Sequence, residues 1–443
     1  MIRHIAISIF LLSQCLVFGQ ATDNSIFSRF GIGDIVTPGY SSFTAMGGAA
    51  SGYYTTYTIN SVNPASYSRL TTAAFDIGLS ARNFSTEIAG TTGDRLWSGN
   101  LDNVAIAFPL KNSLNKALDP LSKPIDFGIA FGINPISRVG YNVSSIETDS
   151  DLGNIERNYK GFGGLYEFFW GSSVEYKNFS AGINAKMYFG RLNYEKNIFF
   201  IDIPAAFNNL FSTSYNAQGL GLDYGVMYTH VFNKADLEQN IVGNSLTIGF
   251  HGSTGANLNA TADTENILFQ NYSNVAITDT LLSDTGIEGE LKLPANLGVG
   301  VSYQQGTKWA ISAAYTTTPW SKYENTLVAE TLRDVTSFNI GGWFTPNAKS
   351  YTSYFKRIRY KAGAFYRTEP TQISVSDQGG EVENYGVTLG TQLPFVSQRK
   401  ISRGDISATL GYKGNDFINE KYIILKFGFT FNDDQWFLKR KYN

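Results

Sequence analysis

The sequence is poor in the residues that carry most catalytic and metal-binding chemistry. It has one cysteine, four methionines and three histidines among 443 residues. The spacings typical of metalloproteases, serine hydrolases and phosphate-binding loops do not occur. The formal net charge is only −2, and no basic stripe marks a surface for nucleic acid. We therefore expect a protein that is not an enzyme and that has no cofactor, no metal site and no nucleic-acid partner.

Long apolar runs are confined to the beginning of the chain. Arg3 and His4 precede an apolar run that ends near Gly19, which is the pattern of a secretory signal peptide and is too short for a membrane helix. The signal peptide is assigned to residues 1–19. A lipoprotein signal around Cys15 is the alternative, although Gln14 stands where a small residue is expected. Removal of the signal leaves a mature chain without cysteine.

From residue 71 onward the chain alternates between apolar residues and polar or small residues, which is the period of a β-strand. The row of Phe127, Ile129 and Phe131, for example, faces away from Gly128 and Ala130. A tilted strand of about 9–11 residues is long enough to span a bilayer. The predicted strands cover residues 75–84, 101–110, 125–133, 163–176, 179–189, 220–231, 246–255, 295–303, 308–316, 337–345, 357–367, 385–393, 405–412 and 422–431.

The lengths of the connections distinguish a soluble β-protein from a membrane barrel. Short or moderate connections, such as Lys177-Asn178, follow the even-numbered strands. Long polar connections follow the odd-numbered strands, at 85–100, 134–162, 190–219, 256–294, 317–336 and 368–384. Outer-membrane barrels combine short periplasmic turns with long outer loops, and closure leaves no strand edge facing lipid. The prediction is an all-β fold, a transmembrane antiparallel β-barrel over residues 71–432. It lies in the bacterial outer membrane, in contact with outer-membrane lipid and with both mature termini in the periplasm.

The predicted inward face carries charges of both signs, and a pore lined by one sign would instead select ions. A lumen of about fourteen strands is too wide for side chains alone to fill. The mixed charges therefore predict internal pairing around a filling element, while solvated lumen side chains are the alternative. The inward charges are Asp76, Arg82, Asp126, Glu167, Glu175, Lys186, Asp223, Arg359, Lys361, Arg367 and Lys426.

Residues 20–70 precede the first predicted strand and have a different composition. Gly47 and Gly48 lie in a run of small residues, and Asn63-Pro64-Ala65 forms a turn signal before the first strand. Glycine permits close backbone packing, and proline fixes φ and removes a hydrogen-bond donor. This segment is predicted to be a compact N-terminal hatch inside the lumen.

Several of these pieces together resemble the FadL-type outer-membrane channels, including the PorV-like members of Bacteroidota. Their order and spacing match over essentially the whole mature chain. The matching pieces are Ala45-Met46-Gly47-Gly48-Ala49, Asn63-Pro64-Ala65, Gly161 to Leu165, Leu293-Pro294-Ala295-Asn296-Leu297-Gly298, and Gly341-Gly342 to Thr345-Pro346.

The resemblance implies a fourteen-stranded barrel with an N-terminal hatch and passive uptake of small hydrophobic compounds such as fatty acids. Such a compound would leave sideways where a kinked third strand opens the wall. The candidates for this lateral opening are Gly132, Asn134 and Pro135, with the alternative that Pro135 merely ends the strand. The residues implied to line the hatch or a ligand are Met46, Gly47, Gly48, Asn63, Pro64 and Ala65.

Two features depart from that family pattern. The outer connections are polar and contain no large apolar patch that would capture a ligand. Residues 433–443 continue past the last strand as an aromatic and basic tail, interpreted as a membrane-interface anchor. A docking peptide for an outer-membrane or periplasmic protein is the alternative interpretation of the tail. Uptake of hydrophobic compounds is the preferred function, and a non-transporting subunit of an outer-membrane secretion or barrel-assembly complex is the alternative.

Overall fold

The computed structural model describes residues 25–37, 39–88, 91–93, 95–111, 124–203, 205–233, 243–272, 275–375, 378–397 and 400–435. The predicted signal peptide lies outside the described residues, as does the part of the predicted tail that begins at Trp436.

The wall is one antiparallel sheet of fourteen strands, three of which are interrupted. The last strand pairs with the first from Ala73↔Asp433 to Ile88↔Ile418. This pairing closes the sheet and confirms the predicted barrel. The strands are β1 Ala73–Ile88, β2 Leu96–Pro109, β3a Ile125–Pro135 and β3b Ser137–Asp149, β4 Gly153–Tyr176, β5 Phe179–Phe200, β6 Asn208–Asn233, β7a Asn244–Ser253 and β7b Ala256–Tyr272, β8a Val275–Leu293 and β8b Asn296–Gln305, β9 Trp309–Thr318, β10 Val335–Phe344, β11 Arg359–Val375, β12 Gln378–Ser397, β13 Lys400–Gly414 and β14 Ile418–Asp433.

The remaining elements are short. In the 3₁₀ helix Pro64–Arg69, proline takes the first position and the Asn63 side chain accepts a hydrogen bond from the Ala65 amide. None of the helices in the described part of the chain is long and apolar enough to cross a membrane. The other helical turns are Ile26–Arg29, Ser41–Thr44, Trp320–Lys322 and Phe355–Arg357, and the short strands are Asp34–Ile35, Thr91–Thr92 and Glu324–Asn325.

The two faces of the wall follow the alternation in the sequence. In β3a, Phe127 and Ile133 are 44% and 46% exposed, whereas Ala130 is completely buried. The two-residue turn predicted at Lys177-Asn178 joins β4 to β5, and Lys177 has a φ of 56°, as tight hairpin turns require. The exposed apolar row is the surface that lipid covers in a membrane barrel.

The prediction that the connections 134–162, 190–219 and 256–294 are loops is wrong. The strands continue as long hairpins, with pairs at Asp149↔Gly153 and Ile155↔Phe200. The connections 85–100 and 368–384 likewise consist mostly of strand. Beyond the bilayer the outward face of a hairpin meets water instead of lipid, while inward residues such as Tyr141 and Leu192 remain buried. The hydrogen-bond ladder therefore persists without the outward apolar row that reveals a membrane strand in the sequence.

Arginine at Ile129 tests which face of the wall meets lipid. We expect Ile129→Arg to destabilise the inserted barrel by about 2–4 kcal/mol, because the row of Ile129 faces hydrocarbon near mid-depth. The matched control is Ile146→Arg, since Ile146 is 66% exposed on the hairpin beyond the barrel. Unfolding in lipid vesicles, followed by heat modifiability, measures both changes. Equal stability of the two variants would contradict the assigned depth and facing of Ile129.

Candidate functional site

The wall is interrupted between the second and third strands. Pairing of β2 with β3a ends at Val104↔Ile133, and Ile136 separates β3a from β3b. Among the described residues, β3b pairs with β4 on one edge and with the short strand Asp34–Ile35 on the other, rather than with β2. The upper half of the third strand has therefore left its neighbour in the wall and joined the N-terminal part of the chain.

The three residues predicted for a lateral opening lie at this interruption. Gly132 is still paired with Ala105, whereas Asn134 and Pro135 are the last two residues of β3a. The Asn134 amide donates a hydrogen bond of 3.1 Å to Glu167 Oε1. These residues thus lie where the third strand stops pairing with β2.

Arg138, at the start of β3b, bridges the interruption. Its Nη2 donates to the carbonyl oxygen of Leu101 at 3.2 Å and to Asp102 Oδ1 at 2.8 Å, both on β2. Arg138 is 6% exposed and Asp102 is 9% exposed. A buried, charge-assisted bridge of this kind holds the two strands together where the backbone ladder is lost.

Asp102 is also the centre of a cluster of basic groups. Its carboxylate lies 3.8 Å from Arg82 Nη2 and 3.5 Å from Lys426 Nζ, in addition to Arg138. The Ser80 hydroxyl donates to the same carboxylate at 2.7 Å. One carboxylate therefore connects β1, β2, β3b and β14 on the inside of the wall.

Two further lysines form ion pairs on the inward face. Lys186 Nζ lies 2.7 Å from both Glu167 Oε2 and Asp223 Oδ2. Lys361 Nζ lies 2.7 Å from Asp405 Oδ1, and both side chains are only 2% exposed. Buried charges at this depth require partners of opposite sign.

The other predicted inward charges have separate partners. Asp76 accepts hydrogen bonds from Asn103 and Thr430 at 2.7 and 2.6 Å. The Arg359 guanidinium lies 3.6 Å from the ring centre of Trp343. Arg367 pairs with Glu369, Glu175 lies 3.6 Å from Arg69, and Asp126 is half-buried on the inward register of β3a.

The N-terminal segment, residues 25–72, contacts this inward face around Gly47. The Gly47 amide donates to Thr388 Oγ1 at 2.9 Å, and its carbonyl accepts from Asn339. Gly47 has a φ of 67°, and a β-carbon there would lie 2.6 Å from the Ala364 carbonyl oxygen. Only glycine fits, because both the left-handed backbone and the approach to β11 exclude a side chain. Met46, beside it, is 1% exposed.

The turn at Asn63-Pro64-Ala65 meets a different part of the wall. The Asn63 amide donates to the Phe250 carbonyl at 3.2 Å and to the Ser51 carbonyl at 2.9 Å. Tyr67 then donates to Asn184 Oδ1 at 3.2 Å. Burial raises the pKa of the Tyr67 phenol far above its ordinary value, so its hydroxyl stays protonated and remains a donor.

Contacts elsewhere along the segment reach still other strands. Lys361 donates to Ser42 Oγ at 2.8 Å, in addition to its pairing with Asp405. Arg69 donates to Ser180 Oγ at 3.0 Å and to Thr229 Oγ1 at 2.6 Å. The Ser302 hydroxyl donates to the Gly52 carbonyl at 2.7 Å. Polar contacts therefore join the segment to the beginning of β5, to the end of β6, and to β8b and β11.

A cavity of about 260 Å³ remains between the N-terminal segment and the interrupted side of the wall. The interruption opens onto it through Asn134, Pro135 and Ile136. Among the residues that the structure describes, no three histidine, cysteine, aspartate or glutamate side chains come together as a metal site. The acidic, basic and histidine residues that line the cavity are Asp102, Glu167, Lys186, Asp223, His251, Arg367, Glu369 and Lys426.

Four of the residues that organise this region were missing from the sequence prediction. Glu369 and Arg138 fall within predicted loops, where no inward face was assigned. Asp102 lies in a predicted strand but was not assigned to the inward face, and a bulge in β2 turns it inward. Asp405 begins a predicted strand and lies on its inward register, so alternation was a sufficient signal for this residue.

Comparison with solved structures defines the class of this barrel. A FadL homologue from Pseudomonas aeruginosa aligns with a TM-score of 0.57 at 12% identity, covering 90% of this chain and 99% of that chain. The CymD monoaromatic hydrocarbon channel aligns with 0.53 at 12% identity, covering 91% and 98%. The Pseudomonas putida toluene transporter TodX aligns with 0.53 at 13% identity, covering 90% and 98%. The protein thus has the fold of the FadL-type outer-membrane channels.

A comparison of the sequence with models of protein families identifies the family of the chain. The model of the BamG family matches residues 1–443, and the chain belongs to that family. No curated protein matches the sequence.

Proposed function

We propose that this protein is a closed FadL-type barrel that serves as a subunit of an outer-membrane barrel-assembly complex, with its N-terminal segment as a fixed hatch. The observation that carries this proposal is that the interruption through which a ligand would leave is closed twice, by the pairing of Asp34–Ile35 with β3b and by the Arg138 bridge to β2. A barrel without an exit suits a structural role better than a transport role. The match to the BamG family model over residues 1–443 agrees with this role.

The lining of the cavity supports the same proposal. Hydrophobic ligands are favoured by sites lined mainly by apolar side chains with few polar groups. Here the lining includes Asp102 with Lys426, and the Lys186 pairs with Glu167 and Asp223. A hydrophobic compound in this cavity would separate hydrated or paired charges without compensating them.

The long hairpins supply surface for protein contacts. On β8a, eleven consecutive residues from Thr278 to Glu288 are exposed. One edge of β8a pairs with β7b. In the described structure, the other edge forms strand pairs only at Leu291 and Lys292, with Asn325 and Glu324. Free strand edges readily accept a strand from another chain. In this proposal the hairpins face outward from the cell, and both mature termini face the periplasm.

Depletion of the protein tests the assembly role. We expect the amounts of many unrelated β-barrel proteins in the outer membrane to fall together, as measured by quantitative proteomics of purified outer membranes. The matched control is depletion of an unrelated abundant barrel. A membrane composition that stays constant while uptake of one class of hydrophobic compound is lost would contradict the proposal.

The second candidate function is passive uptake of small hydrophobic compounds such as fatty acids, with the compound itself as ligand. It is favoured by the FadL-type fold and by the cavity that meets the interruption at Asn134 and Pro135. Here Arg138 would be a latch that opens during passage. The predicted tail, beyond Asp433, stays a prediction as a membrane anchor or as a docking peptide.

Arg138→Ala separates the two candidates. If the barrel is a closed subunit, we expect uptake of radiolabelled oleate by cells that express the variant to remain at the level of cells without the barrel. The segment Asp34–Ile35 still covers the edge of β3b in that variant. Arg157→Ala, which removes an exposed pair with Glu147, controls for loss of an arginine. Uptake that rises with Arg138→Ala alone would favour transport.

A further inference from the structure

The connection between β10 and β11, residues 345–358, exposes aromatic and basic side chains. Tyr351 and Phe355 are 101% and 71% exposed. Lys349, Lys356 and Arg357 are also exposed, and the connection contains no aspartate or glutamate. Exposed aromatic and basic side chains thus occur together on the rim of the barrel where β10 ends.

This connection has a defined shape. The Asn347 amide donates to the Lys356 carbonyl at 2.8 Å, and the Arg357 amide donates to the Tyr354 carbonyl at 2.9 Å. The Tyr354 hydroxyl donates to the Pro394 carbonyl on β12 at 3.1 Å. The exposed side chains are therefore presented from a backbone that is tied to the wall.

An apolar groove runs along the outer surface of the wall beside this connection. Gly342, Ala362 and Ala408 form its floor, where small residues replace the larger side chains of neighbouring rows. The register pairs Gly342 with Ala362 and then aligns Leu389 with Ala408. The groove has a volume of about 850 Å³. Its larger borders are Ile311, Phe344, Leu389, Ile406 and Leu425.

The groove and the connection meet at Tyr360. The Tyr360 side chain lines the groove, and its hydroxyl donates to the Phe355 carbonyl at 3.2 Å. Phe344, at the end of β10, lines the same end of the groove. An apolar channel on the lipid face therefore ends beneath a group of cationic side chains.

We propose that this surface binds an anionic phospholipid. An acyl chain lies in the groove over Ala362 and Ala408, and the headgroup phosphate contacts Lys356 and Arg357. Basic groups at a membrane surface attract anionic headgroups, and aromatic side chains favour the same depth. Residues 345–358 carry no acidic group, so no carboxylate within this connection competes with a phosphate for its basic side chains. This inference requires only that the barrel spans a membrane, and it holds for either candidate function.

Native mass spectrometry of the full-length barrel in detergent tests the site, with phosphatidylglycerol and phosphatidylethanolamine added separately. We expect the unaltered barrel to retain phosphatidylglycerol in preference to phosphatidylethanolamine. The double substitution Lys356→Gln with Arg357→Gln should weaken phosphatidylglycerol binding about thirtyfold. The control substitutions Lys292→Gln and Lys421→Gln, at exposed basic positions elsewhere, should leave it unchanged.

A second variant tests the groove independently of charge. Ala362→Leu should fill the floor and reduce phosphatidylglycerol retention while both basic residues remain. Equal retention of the two lipids by the unaltered barrel would overturn the proposal, as would full retention by the double variant. Photo-crosslinking from position 355 to another protein in intact membranes, with no lipid adduct, would likewise overturn it and assign the surface to a protein partner.

Discussion

Deleting residues 25–60 should convert a closed barrel into a wide conducting pore. The deletion removes the contacts of Ser42, Gly47 and Gly52 with the wall but leaves every strand of the barrel. A fourteen-stranded wall that keeps only residues 61–72 of its inner segment encloses an aqueous channel, because its own side chains are too short to fill the lumen. We expect single-channel conductance in planar bilayers to rise from near zero to that of an open pore.

The control for that experiment removes a similar length of chain outside the lumen. Deleting the outer part of the β7b–β8a hairpin, residues 261–288, keeps the N-terminal segment in place. Its conductance should match that of the unaltered protein. If the 25–60 deletion inserts and folds but conducts no better than this control, the N-terminal segment does not close the lumen.

The substitution Asp102→Asn should produce the largest loss of stability among single changes. It keeps the shape of the side chain but leaves Arg82, Arg138 and Lys426 without their shared carboxylate. Removing one partner of a buried ion pair typically costs about 3–5 kcal/mol. We expect a loss of that size in urea unfolding from lipid vesicles, monitored by tryptophan fluorescence.

Glu147→Gln provides the matched control. It also removes a carboxylate from an arginine pair, but the Glu147 and Arg157 side chains are 63% and 36% exposed. Exposed pairs contribute at most about 1 kcal/mol. Equal effects of the two substitutions would mean that the Asp102 cluster is not a stabilising centre of the wall.

The barrel could be predicted because lipid imposes a strict pattern on the sequence. Rows such as Phe127, Ile129 and Phe131 alternate with Gly128 and Ala130 wherever one face meets hydrocarbon. A shift of the strand register by one residue would turn every side chain to the other face. The alternation is therefore maintained across each membrane-spanning stretch. The number of strands and the membrane-spanning segments followed directly from it.

The hairpins escaped prediction because that constraint ends at the membrane surface. From Ile155 to Tyr159, β4 pairs with both neighbours, yet Ile155 is the only buried residue of the five and no apolar alternation marks the strand. Strand propensity without alternation is a weak signal, since it reflects packing context more than the backbone itself. Only the pairing partners, which lie far apart in the sequence, define these strands.

The central residue of the candidate site was missed for a different reason. In β2, Asp102 and Asn103 both point inward, because a bulge places two residues of β2 opposite one step of β1 between Gly78 and Leu79. A bulge reverses the facing of every residue beyond it. The alternation of Val104 and Ile106 therefore gives no sign that Asp102 faces inward. Arg82 and Lys426 were expected on the inward face, but the carboxylate that they share with Arg138 could not be anticipated.

Native mass spectrometry of the protein extracted from outer membranes most directly tests its role as a closed assembly subunit. The account predicts a stoichiometric complex with other outer-membrane or periplasmic proteins and no hydrophobic compound held in the cavity beside Asn134 and Pro135. A lone barrel that carries a bound fatty acid or similar compound, with no protein partner, would contradict the account and establish the barrel as a channel.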